Sequence, residues 1–129
     1  MNIWLKIVMV AVSSAIGGVV RYIIELALER APVGFDTWVI NSLGCLIIGI
    51  CAGWLANTGC QWNSNIRETF FLLTMTGFCG GFSTFSTFTL DCVQYYQQGK
   101  MLTWLILGTM TIFVGLFGCA IGYYIGKNI

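Results

Sequence analysis

"TGFCGGFSTFSTF" (residues 76–88) sits inside a stretch that has no charged residue from Thr69 to Leu90. The stretch is long enough to cross a bilayer, for which a helix needs about 20 residues. Yet it carries a glycine pair at its centre, followed by hydroxyls and phenylalanines at spacing three. A plain membrane anchor needs neither, so this segment decides both the fold and the search for a site.

Three further runs lack Asp, Glu, Lys and Arg: Ile7 to Val20, extendable past Lys6 to about Ile3, then Thr37 to Ile66, and Met101 to Gly126. The 129 residues are 57% hydrophobic and 9% charged, with mean hydropathy +0.84, more apolar surface than a soluble domain of this size can bury. The runs are continuously apolar rather than alternating, which argues against a β-barrel. The expected fold is an all-α integral membrane protein: one domain over residues 1–129 with four transmembrane helices, at about 3–28, 36–55, 66–96 and 101–125. The first run is long for a signal-peptide core and is read as a helix. "ERAPVGFD" (29–36), "ANTGCQWNSN" (56–65) and "QQGK" (97–100) are the connections. Aromatics gather at the two ends, Trp4, Trp54, Trp62, Tyr123 and Tyr124 at one and Tyr22, Trp38, Tyr95, Tyr96 and Trp104 at the other.

The basic residues divide evenly. Lys6, Arg67 and Lys127 fall at one end, and Arg21, Arg30 and Lys100 at the other, so the positive-inside rule has little to act on. Balance in a short chain can arise by chance. It also suits dual topology, in which opposite copies pair about an axis in the membrane plane, an unfused form of the transporter inverted repeat. Four short helices leave little room for a solvated path in one chain, so a dimer or larger assembly is expected. Gly49 and Gly53, and Gly118, Gly122 and Gly126, have small-xxx-small spacing that offers close-packing faces for it.

Polar groups inside the membrane are the candidate functional residues. Asn41, in "VINSLG", needs partners for two donors and an acceptor, through either an interhelical hydrogen bond or a passing ion. Arg21 lies at i and i+4 with Glu25, as an ion pair or as a cation at a cavity mouth that concentrates anions. Ser83 and Ser86, Thr84 and Thr87, and Phe82, Phe85 and Phe88 form three tracks on a helix. The hydroxyls could simply back-bond to the preceding turn. Gly80-Gly81 predicts a break in the third helix, which frees backbone groups that protein, water or an ion must satisfy.

Other classes find little support. There is no histidine, and no nucleophile is paired with a base, so the chain is not expected to be an enzyme. No carboxylate lies mid-membrane, as a small dual-topology multidrug/proton antiporter would need. The six cysteines, 45, 51, 60, 79, 92 and 119, lack CxxC spacing and read as small apolar residues rather than a disulfide frame or metal site. A non-transporting membrane subunit is the remaining alternative.

"GGVVRY" (17–22), "DTWVINSLG" (36–44) and above all "TGFCGGFSTFSTF" closely resemble the Fluc (CrcB) fluoride channels of bacteria, over essentially the whole chain. The resemblance implies an antiparallel dual-topology homodimer in the bacterial inner membrane, with two pores that export fluoride passively and no nucleic-acid partner. It implies Phe85 and Phe88 as pore-lining rings, Asn41, Ser86 and Thr87 at the pore wall, and Arg21 at the vestibule. It also implies a structural sodium ion at the dimer centre, held by the backbone carbonyls of Gly80 and Ser83. Two departures stand out. Asp91 occupies a position where the family often has glutamate, and helix 4 offers Gly115 and Cys119 where hydroxyls are common, with Thr111 as one candidate.

Overall fold

The computed structural model describes residues 1–58 and 61–129. Gly59 and Cys60, the latter one of the six cysteines, lie outside the described residues. The described chain is helical: α1 (Ile3–Ala27), α2 (Phe35–Thr58), α3 (Ser64–Phe70), a π-helical segment (Phe71–Cys79), α4 (Gly80–Phe82), α5 (Phe85–Gln97) and α6 (Met101–Asn128). Among the described residues, α1, α2 and α6 are each long and apolar enough to cross a membrane. The remaining traverse is assembled from α3 to α5.

Two parallel helix pairs build the bundle, each made close by glycine. In the α2–α6 pair, a Cβ on Gly49 would stand 2.3 Å from Cys119 O, and one on Gly53 2.1 Å from Tyr123 O. Reciprocally, Gly122 and Gly126 face Leu46 O at 2.4 Å and Ile50 O at 2.1 Å. No Cβ fits at such distances, so the backbones touch, as small residues allow in lipid. The small-xxx-small faces read from sequence as dimer surfaces therefore serve packing within one chain. The α1 pair uses the same device against the third traverse. A Cβ on Gly17 would lie 2.3 Å from Phe78 O, and one on Gly81 2.2 Å from Ser14 O. Ser14 Oγ donates to Gly77 O at 3.2 Å, and an ion pair between Lys6 and Glu68 ties the two helix starts together.

The break in the third traverse is not at Gly80-Gly81. Gly80 is helical (φ −64°, ψ −36°), and the chain becomes extended at Ser83 (φ −82°, ψ 155°) and Thr84 (φ −145°, ψ 115°). The reason is contact: Gly81 is needed as a bare backbone surface against Ser14, which does not require leaving the helix. The extended pair also rephases the phenylalanines. Phe82 turns inward, 2% exposed and stacked on Phe78 with ring centroids 5.7 Å apart, while Phe85 is 76% exposed. The three do not form the single track that spacing three predicts.

Aromatic contacts agree with two membrane interfaces. Trp54, Trp62 and Phe70 meet edge to face, with centroids 5.0 to 5.8 Å apart. At the other end Tyr96 meets Trp104 at 6.3 Å. The five described cysteines are free thiols.

Candidate functional site at the helix break

An extended dipeptide at membrane depth exposes backbone groups that hydrocarbon cannot satisfy. Asn41 of α2 satisfies both those of Thr84. Its Oδ1 accepts from Thr84 N at 2.8 Å, and its Nδ2 donates to Thr84 O at 2.9 Å. The side-chain amide thus pairs with the backbone of the break as a neighbouring strand would. Gly44, one turn further along α2, makes room: a Cβ there would sit 3.1 Å from Ser83 Cβ. Asn41 and Gly44 share a face at spacing three, one holding the break and the other letting it approach.

Two backbone carbonyls lose their helical donors as a consequence. Thr84 N–H, which would continue the helix by donating to Gly80 O, goes to Asn41. Thr87 N–H, which would reach Ser83 O, goes to Thr84 Oγ1 at 3.2 Å, capping α5. Thr84 Oγ1 also lies 3.2 Å from Ser86 Oγ and 3.0 Å from Thr87 Oγ1, so the buried Thr84 hydroxyl is the hub of a three-hydroxyl cluster. Ser83 Oγ donates to Cys79 O at 2.9 Å, as back-bonding residues do.

A cavity of about 380 Å³ lies beside the break. Asn41, Gly80, Ser83, Thr84, Phe85 and Phe88 contribute to its wall, and Thr111 joins from α6. The Phe85 and Phe88 rings are 5.8 Å apart and tilted by 48°. Among the described residues no Asp, Glu, Lys or Arg lines it. Its polar groups are the Asn41 amide, hydroxyls, backbone carbonyls and the thiols of Cys45 and Cys79, which can solvate an ion without trapping it as a fixed opposite charge would. Because Phe85 is both a wall residue and mostly exposed, the cavity is open along one flank of the chain.

The structure brings Asn41, Gly80, Ser83, Phe85 and Phe88 together, but places Ser86 and Thr87 outside the cavity wall, linked to it through the Thr84 hydroxyl. Arg21 is not part of this site. Its Nε is 3.5 Å from Glu25 Oε1 within α1. Thr84 is the residue that sequence reading left without a role. Asp91 is 8% exposed, and its Oδ2 is buried without a hydrogen-bond partner among the described residues. That oxygen would be 3.5 Å from a Cβ on Gly34, in the connection that opens α2, and it lies outside the cavity wall. Among the described residues no three His, Cys, Asp or Glu side chains cluster as metal ligands.

Known proteins place this arrangement. The family model described as "CrcB-like protein, Camphor Resistance (CrcB)" matches residues 8–123, which contain every group around the break. A protein of Azobacteroides pseudotrichonymphae named fluoride-specific ion channel FluC is 35% identical over 121 residues, 92% of this chain and 93% of the relative. Proteins of the same name from Flavobacterium psychrophilum and Francisella philomiragia are 31% identical over 123 and 124 residues, each covering 93% of this chain. With the match running through all four traverses, the chain belongs to the CrcB-like family of bacterial multi-pass membrane proteins.

Proposed function

We propose that the chain is a fluoride-specific ion channel that lets cytoplasmic fluoride leave passively across the bacterial inner membrane. The observation that carries this reading is the uncharged cavity beside a helix break whose backbone is held by Asn41, in a family whose relatives bear that name. Fluoride is small and tightly hydrated, and moving a bare ion into low dielectric costs on the order of tens of kcal/mol. Donors must replace its water. Asn41 Nδ2 has two protons, and Thr84 O accounts for one. The other is the donor offered to the anion. The hydroxyls of Thr84, Ser86 and Thr87 share their protons among themselves, so one can turn toward an ion at the cost of a neutral contact. Ring edges of Phe85 and Phe88 carry the positive end of the aromatic quadrupole and complete the path. Arg21 serves at the vestibule by raising the local anion concentration.

The working unit is an antiparallel homodimer with two pores. Support comes from the uncovered flank: Gly80 is exposed, and a Cβ on it would meet nothing within 4 Å among the described residues. Phe85, at membrane depth, is likewise uncovered. The even division of basic residues is compatible with insertion both ways. The carbonyls of Gly80 and Ser83, released from their helical donors, are hard oxygen ligands of the kind sodium takes. One chain offers two of them, and a two-fold axis would double the set. Sodium held there would supply fixed positive charge near both pores and join the two broken traverses.

The test is fluoride efflux from liposomes containing only the purified chain. Rapid efflux of fluoride but not chloride, unaffected by a proton gradient, is expected. Efflux that requires a proton gradient would mark an antiporter, and none at all a non-transporting subunit. Either result would overturn the proposal.

A further inference from the structure

A second cavity, about 320 Å³, lies where the α1–α2 connection meets the end of α5 and the start of α6. Its size is at the lower end of small-molecule sites. Val33, Ile106 and Met110 line it and are about half exposed, so it is a lateral groove facing the bilayer. Tyr95 is another wall, buried and fixed because its hydroxyl donates to Val33 O at 2.6 Å. With that hydroxyl satisfied, the ring presents an apolar surface.

The polar end of this groove is set by the backbone. In the "QQGK" turn, Gly99 takes φ +73°, Gly99 N donates to Tyr96 O and Lys100 N to Tyr95 O, both at 3.0 Å. That is the bond pattern of a Schellman motif, which needs a residue of positive φ at this position. It starts α6 just after Lys100, whose Nζ stands 5.8 Å from the centroid of the Tyr95 ring, one wall of the groove. Among the described residues Lys100 has no carboxylate within ion-pair distance. Trp38 also lines the groove, and Tyr96 and Trp104 meet nearby in the chain, so this end sits at headgroup depth.

An apolar lateral groove ending in an unpaired, backbone-positioned ammonium at headgroup depth is complementary to an amphiphile with an anionic head. We propose that the groove holds an acyl chain of an anionic phospholipid, with Lys100 on its phosphate. A lysine near an anionic headgroup supports about a fivefold preference over a zwitterionic lipid.

Native mass spectrometry of the purified full chain, equilibrated with equal amounts of phosphatidylglycerol and phosphatidylcholine of identical acyl chains, tests this. Wild type should retain phosphatidylglycerol preferentially by about fivefold. Lys100→Gln should bring the ratio close to one, and Ile106→Trp, which fills the groove, should lower retention of both lipids. Arg67→Gln, a basic residue at the opposite end, should keep the wild-type ratio. Equal retention of the two lipids by wild type, or an unchanged ratio in Lys100→Gln, overturns the proposal. Efficient disulfide formation between copies carrying Ile106→Cys in liposomes overturns it as well, because a second copy would then cover the groove. Lys100 is exposed and outside the packing, so its variant decides the matter even if Ile106→Trp fails to fold.

Discussion

Asn41 holds Thr84 from both sides, accepting from its N–H at 2.8 Å and donating to its carbonyl at 2.9 Å. The same side chain that keeps the break open therefore stands at the cavity wall with a proton to spare, so structure and conduction are joined in one residue.

Replacing Asn41 with Leu removes both bonds and strands two backbone groups. A buried unsatisfied group costs about 1–3 kcal/mol, although hydrogen bonds between membrane helices are often worth less. Asn41→Asp, assayed at a pH where the new side chain is ionised, is the sharper variant: a carboxylate still accepts from Thr84 N but cannot donate to Thr84 O or to an anion. Fluoride efflux should fall by roughly 10- to 100-fold, as for loss of a hydrogen bond to a charged group worth about 1.5–3 kcal/mol. Liposome efflux against thermal unfolding in detergent separates the two effects. Unchanged flux in Asn41→Asp would remove the amide donor from the mechanism.

How much of this was legible in the sequence depends on what each residue touches. The traverses follow from charge-free runs, because hydrocarbon penalises charge wherever it lies, and α1, α2 and α6 start or stop within three residues of the expected limits. The break does not follow from local chemistry alone. Glycine signals both a bend and a close contact, and only the approach of Ser14 to Gly81 shows which one applies. Asn41 was visible as a costly polar group, but its partner is 43 residues away in sequence. Thr84 was hidden among similar hydroxyls, and the rephasing that buries Phe82 and exposes Phe85 is a consequence of two extended residues that no periodicity reveals.

Neighbouring glycines should respond differently to a methyl group. At Gly17 a Cβ would lie 2.3 Å from Phe78 O and 2.9 Å from Phe82 N, both backbone atoms, whereas at Gly18 the nearest atom is Gly81 O at 3.9 Å. Gly17→Ala must push α1 off the third traverse and should cost about 1–3 kcal/mol or more. Gly18→Ala should be close to neutral. Unfolding midpoints of the two variants in detergent check this, and equal midpoints would contradict the parallel packing.

The two phenylalanines on either side of the break should separate stability from conduction. Phe82 is core, and Phe82→Ala should cost about 3–5 kcal/mol. Phe85 is exposed in the single chain and lines the cavity. Phe85→Ile should leave the unfolding midpoint nearly unchanged while suppressing fluoride efflux. If Phe85→Ile conducts normally, ring edges are not part of the path.

Gly80 distinguishes a requirement of the fold from one of assembly. Its φ and ψ are helical, and a Cβ there meets nothing within 4 Å among the described residues, so within one chain Gly80→Ala should be tolerated, with about 1 kcal/mol of helix propensity in its favour. Across a two-fold axis the outcome reverses. If the uncovered flank faces its own copy, with the released carbonyls of Gly80 and Ser83 converging there, the methyl group meets the partner backbone and closes the space between them. Gly80→Ala should then keep wild-type helicity by circular dichroism yet migrate as a monomer in size-exclusion chromatography and lose fluoride efflux. A variant that remains dimeric and conducts would place the dimer contact, and any cation held at it, away from this flank.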